Sequence, residues 1–186
     1  MLQISFEYYR IFAYFALVLE QRKQIQEDLT IELDKLNSDF NQETINEIVL
    51  WKVSRYSKIE NSTLELLNQI KKSQTELNTE LTKEILKALL NTKGIRLAMA
   101  STILRFKNPS IYQIIDQRVY RYISKNGEEL NEGTKIEKQI ELYLEYLIKL
   151  RKVCVEHRIE FEKSDRILYL MDKKYNKGIN LKESKK

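Results

Sequence analysis

Only four glycines and one proline punctuate a chain of 186 residues. These two types make up roughly 12% of average usage, so turn-forming residues are scarce here. A sandwich or barrel needs turn signals every 8–12 positions, and an all-β fold is close to excluded. Leu, Ile, Val and aromatic residues are numerous enough to build a core, which excludes a disordered chain. The length suits one domain, or two small lobes; a single domain over residues 1–186 is expected, and the fold class expected is all-α, a compact helical bundle.

Helical periodicity runs through almost the whole chain. It predicts helices over about 5–35, from Asn41, from Asn61 or Ser62, from Thr79, and from just after Gly94. Asp116 then caps a short helix over 117–124, a long one follows over 134–157, and the last begins at Phe161 or Ser164 and ends before Gly178. Pro109 falls in an irregular link over 107–115, and residues 177–186 read as a basic tail. The apolar run Ile11–Leu19 is far shorter than the ~20 residues a membrane span needs, so no membrane partner is expected. It reads as a buried or packing face, and no signal peptide accompanies it.

A single cysteine, Cys154, and a single histidine, His157, exclude an internal disulfide and a structural zinc or iron–sulfur site, which want about four Cys/His ligands. No cofactor or metal is implied, and the setting expected is reducing and cytoplasmic. Cys154 and His157 sit three apart near the end of an amphipathic helix and read as packing and a C-terminal charge rather than a catalytic pair. Trp51 reads as core. Glu137, Glu141 and Glu145 lie at i,i+4 spacing and read as a solvated face.

Charge is uneven. Residues 1–86 carry a net −4, residues 87–125 a net +7, and residues 126–186 a net +2. The middle segment holds eight basic side chains, Lys87, Lys93, Arg96, Arg105, Lys107, Arg118, Arg121 and Lys125, and one acid, Asp116. A single-sign patch of this kind attracts phosphate backbones, although from charge alone a solvated basic face is the first reading; double-stranded DNA becomes the expected partner only through the resemblance its motifs carry. Within it, LTKEILKALLNTKGIRLAMASTILRF reads as two helices joined by a tight turn over 91–96. Gly94 supplies the backbone freedom of the turn. Ala100 lets the helices approach. The backbone N–H groups opening the second helix offer a phosphate site beside Lys93 and Arg96.

This stretch resembles the helix-hairpin-helix motif, and IYQIIDQRVYRYI resembles the aspartate segment of the helix-hairpin-helix DNA glycosylase superfamily. The likeness covers about residues 81–125, is weaker in SDRILYLMDKKY, and implies a glycosylase-like core over about 42–176. In that superfamily a hydrophobic pair precedes the catalytic aspartate and an arginine follows five residues on, here Ile114, Ile115, Asp116 and Arg121. The family's lysine position lies eighteen residues before the aspartate, which is Ala98 here. The resemblance implies a DNA-repair hydrolase active in base excision: Asp116 catalytic, and Lys93, Gly94, Ile95, Arg96, Arg118 and Arg121 binding DNA. Ala98 leaves no amine for a covalent imine, which implies a monofunctional glycosylase that leaves an abasic site. Arg96 stands where the motif's second glycine is usual, and Arg118 where a histidine often follows the aspartate. Two other readings stay open: a non-enzymatic DNA-binding module of the same fold, and a helical protein–protein interaction protein.

Overall fold

The computed structural model describes residues 29–36, 40–53, 57–124 and 130–177. Among them every regular element is helical and there is no strand, so the all-α class holds. The chain divides into two compact units, Met1–Lys58 and Ile59–Lys186.

In the first unit, residues 29–34 are helical and α1 spans Gln42–Lys52. The Asn41 side chain accepts a hydrogen bond from the Thr44 N–H at 2.9 Å, satisfying one of the donors that open a helix. Trp51 is half-buried, and its indole N–H donates to the Thr30 hydroxyl at 2.7 Å. Ile45, Val49 and Val53 recur at helical spacing yet are about half exposed. Most of the first expected helix, including Ile11–Leu19, and the tail beyond residue 177 lie outside the described residues.

The second unit contains α2 (Asn61–Asn68), α3 (Thr79–Asn91), α4 (Leu97–Lys107), α5 (Gln117–Ile123), α6 (Ile136–Glu156), a 3-10 turn (Phe161–Lys163) and α7 (Ser164–Tyr175). Thr82, Ile85, Leu86 and Leu89 line the buried side of α3 at three- and four-residue spacing. Ile85, Leu86 and Leu89 meet Leu97, Ala100 and Leu104 of α4 and Tyr143, Tyr146 and Leu150 of α6 in one core. Cys154 is buried in that core while His157 is exposed just past the end of α6, as the packing reading requires. Burial also pushes the Cys154 thiol up, which keeps it protonated and inert. Glu137, Glu141 and Glu145 all face solvent.

Between α4 and α5 the chain runs through an irregular stretch, 108–116, much of it buried. Its backbone has no helix to satisfy it, and buried carbonyls without partners are costly. Side chains from elsewhere supply the donors. The Tyr143 hydroxyl donates to the Gln113 carbonyl at 3.0 Å, and the Tyr146 hydroxyl to the Ile114 carbonyl at 2.6 Å. Arg151 donates to the carbonyls of Ser110 and Ile111, and Gln113 donates back to the Pro109 carbonyl at 2.7 Å. The Ile115 N–H finds the Ser101 hydroxyl of α4 at 3.2 Å. Fully buried Asn108 donates to the carbonyls of Lys71 and Gln74, tying the start of the stretch to the turn after α2. Burial raises the pKa of Tyr143 and Tyr146 well above the ordinary phenol value, so both hydroxyls remain donors.

Tyr146→Phe removes one donor and leaves the Ile114 carbonyl unsatisfied. It is expected to cost about 1–3 kcal/mol in urea unfolding, with the m-value unchanged.

Candidate functional site

The loop joining α3 to α4 is short because two backbone features close it. The Thr92 N–H bonds the Leu89 carbonyl, and the Ile95 N–H bonds the Thr92 carbonyl at 3.1 Å. Gly94 sits at φ 85°, a region a Cβ disfavours. Ile95 turns inward and is 5% exposed, which leaves Lys93, Gly94 and Arg96 on the surface. Arg96 is the residue preceding α4, and no side chain caps the helix there. The N–H groups of its first turn therefore open beside two cationic side chains. Ala98 and Met99, also in that turn, are exposed.

Asp116 precedes α5 in extended backbone and accepts a hydrogen bond from the Val119 N–H at 2.8 Å. It is thus a helix cap, and it also lines an open cleft. The cleft encloses about 310 Å³ and is bordered by Ile114, Asp116, Asp165, Arg166, Tyr169 and Leu170. Burial raises the Asp116 carboxyl above the ordinary carboxylate value. The N–H groups of Val119 and Arg118 and the Arg118 charge only partly oppose this, while the charge of Asp172 adds to it. The hairpin and this carboxylate are mechanically linked through α4. Ser101 donates to the Ala98 carbonyl at 2.8 Å and accepts from Ile115, the residue just before Asp116.

The basic segment is less uniform than its charge suggests. Lys87, Lys93 and Arg96 face solvent on the hairpin. Lys107 donates to the Asn68 side chain at 2.6 Å. Arg105 donates to the Glu162 carbonyl at 3.1 Å and lies 3.8 Å from the Asp165 carboxylate. Lys125 lies outside the described residues.

Arg121, expected on phosphate, is 8% exposed and sits elsewhere than a phosphate contact needs. Its Nε and a terminal nitrogen grip the two oxygens of Asp172 at 3.0 and 2.7 Å. Arg118 joins at 3.2 Å but keeps 28% of its side chain exposed, with its guanidinium 5.7 Å from the Tyr169 ring. Asn176 completes the ring of donors at 2.7 Å. The physical reason is the position of Asp172: α7 places it on a buried face with Asp165 and Leu168, and a fully buried carboxylate must be paired.

Sequence reasoning missed Asp165, Tyr169 and Asp172. The available signal was in SDRILYLMDKKY, where Asp165, Leu168 and Asp172 share one helical face. Charged residues on an apolar face call for partners, and the arginines of α5 were the nearest candidates. Comparison with family models, with curated proteins and with solved structures returned no match.

Two outcomes follow for the ion pair. Asp172→Ala leaves Arg121 buried without its counter-charge and is expected to destabilise the fold by about 3–5 kcal/mol in chemical unfolding. In wild type, burial alone would raise the Asp172 carboxyl, but the hydrogen bonds from Arg121, Asn176 and Arg118, with the Arg121 charge, outweigh it and hold the pKa below the ordinary value. The stability this pair contributes is present above the unfolded carboxylate pKa of about 4 and is lost as pH falls toward the lowered one. A thermal-melt series in Asp172→Asn should lose that component of the acid dependence.

Proposed function

We propose that the protein binds double-stranded DNA through the turn between α3 and α4, and that Asp116 promotes hydrolysis of the N-glycosidic bond of a damaged or modified base held in the neighbouring cleft. The observation that carries the reading is the uncapped start of α4. An inward Ile95 and a positive-φ Gly94 turn Lys93, Gly94 and Arg96 outward at a helix end that attracts anions. In this reading Lys93 and Arg96 hold phosphate, Gly94 lets the backbone approach it, Ile95 anchors the turn, and the partly exposed Arg118, beside the Tyr169 ring, adds positive charge. Arg121 has a supporting role, fixing α5 and hence Asp116 against α7.

The chemistry asked of Asp116 is modest and electrostatic. The target nucleotide leaves the stack and its base enters the cleft. As the bond from C1′ to the base nitrogen breaks, positive charge grows on the sugar, and a carboxylate beside it stabilises that charge. A water oxygen bonds to C1′, the carboxylate takes the proton the water loses, and the departing base takes one from solvent. The products are the free base and an abasic site. Ala98 offers no amine, so no covalent sugar adduct forms and the strand stays intact.

A duplex carrying a tetrahydrofuran abasic analogue is expected to bind more tightly than an undamaged duplex at moderate salt. Lys93→Glu with Arg96→Glu should weaken both by at least roughly tenfold and flatten the salt dependence. In a screen of lesion-bearing duplexes, Asp116→Asn should lower base release by about 10²-fold or more while leaving binding intact. Because the active form is the carboxylate and its pKa is raised, the wild-type rate should fall with decreasing pH at a value above that of a free aspartate. Tight, salt-dependent binding with no base release from any lesion would leave a non-enzymatic DNA-binding module. Absence of binding to either duplex would end both DNA readings.

A further inference from the structure

The exposed side of α6 carries a charge pattern that neither the hairpin nor the Asp116 cleft uses. With Ile148 at zero and an advance of 100° per residue, Lys138, Glu141, Glu145, Lys149, Lys152 and Glu156 fall between about 20° and 100°. All six are exposed, and among the described residues none of the ion pairs engages them. Beside this flank, between about −40° and 0°, run Leu144, Ile148 and Val155. Leu144 is partly buried, whereas Ile148 is 56% and Val155 81% exposed. Single exposed apolar residues are ordinary. An apolar line bordered by a row of charges is instead the pattern of a helix that packs against another helix. Within one copy the row is poorly satisfied. Glu137, Glu141 and Glu145 repeat at four-residue spacing, and like charges so placed repel. Arg151, on the other side of the apolar line, is already held by the Ser110 and Ile111 carbonyls and by the Phe161 ring.

Along the flank the signs run plus, minus, minus, plus, plus, minus, and the order inverts about residue 147. Lys138 and Glu156 centre on that residue, as do Glu145 and Lys149, and Glu141 and Lys152 centre half a residue before it. We infer that this face of α6 is a homodimer interface, in which two copies of the chain pack α6 against α6, antiparallel, about a twofold axis near residue 147. That axis brings Lys138 level with Glu156 of the other copy, Glu141 with Lys152, and Glu145 with Lys149, each pair occurring twice. It also turns the same flank of each helix toward its copy, so the charges meet one another. Leu144 of one copy then lies within a turn of Ile148 of the other, and the apolar line closes over the axis. In a parallel pair each charge would come level with its own copy, like on like, so the pattern selects the direction as well as the partner. With 21 residues α6 is about 31 Å long, and a contact along one helix is at the small end of interface sizes. The dimer is therefore micromolar and salt-sensitive. It does not depend on the DNA reading, and none of its residues borders the Asp116 cleft.

The test is sedimentation equilibrium of the full chain over a concentration series, with circular dichroism to check that each variant is folded. Wild type should pass from monomer to dimer, and raising salt from about 0.05 M to about 0.5 M should shift the equilibrium toward monomer. Glu141→Lys with Glu145→Lys should weaken self-association by at least roughly tenfold, and Lys149→Glu with Lys152→Glu should do the same, because each places like charges across the axis. Mixing the two double variants should restore a dimer, since every reversed charge then meets its opposite. Lys173→Glu with Lys174→Glu, which changes net charge equally but lies on α7, should leave the dimer unchanged. Wild type that stays monomeric at its highest soluble concentration overturns the inference. So does a dimer that survives both charge reversals, one that the α7 control weakens as much, or a mixture that associates no better than its separate components.

Discussion

The structure depends on a stretch that has no regular secondary structure. Residues 108–116 cross the molecule between α4 and α5, and much of their backbone is buried. Five of their carbonyls, those of Pro109, Ser110, Ile111, Gln113 and Ile114, accept hydrogen bonds from side chains, most of them rooted in α6. A buried peptide without a partner costs more than a typical hydrogen bond gains, so this segment has few alternative paths once α6 is in place. Its end point is Asp116. The carboxylate is positioned by its own helix cap together with Tyr143, Tyr146 and Ser101, which hold the three residues before it.

A second constraint acts from the other side of the cleft. Asp172 on α7 is completely buried and satisfied by Arg121, Arg118 and Asn176. It fixes α5 and α7 in register, which sets the distance between Asp116 and the residues of the opposite wall, Asp165, Arg166, Tyr169 and Leu170. The same burial divides the basic segment by task. Arg121 and part of Arg118 stabilise the fold, whereas Lys87, Lys93 and Arg96 keep their solvent exposure on the hairpin. Local charge density in the sequence therefore overstates the charge available to a partner, because a buried guanidinium interacts with its carboxylate and not with solution.

Much of the helical plan was legible because it is local. Asn41 and Asp116 each cap a helix through a hydrogen bond three residues on, and such contacts need only neighbouring sequence. The turn at Gly94 was legible for the same reason. The direction of Ile95 was not: the resemblance implied a DNA contact, but the side chain packs into the core, where it cannot reach a partner. The roles of Arg105, Lys107 and Arg121 were not, because their partners Glu162, Asn68 and Asp172 lie 57, 39 and 51 residues away. Nor was the face of α1: Ile45, Val49 and Val53 have helical spacing, but spacing does not say whether another element covers them.

By itself, then, the sequence determined the all-helical class, the placement of most helices in the second unit, and Asp116 as the residue opening α5, since periodicity and capping act over three or four residues. Tertiary structure alone decided that Asp116 faces a cleft, that its carboxyl is raised by burial, and that Asp165, Tyr169 and Leu170 form the other wall. Those properties arise from desolvation and from contacts between segments about fifty residues apart, and no local pattern encodes either.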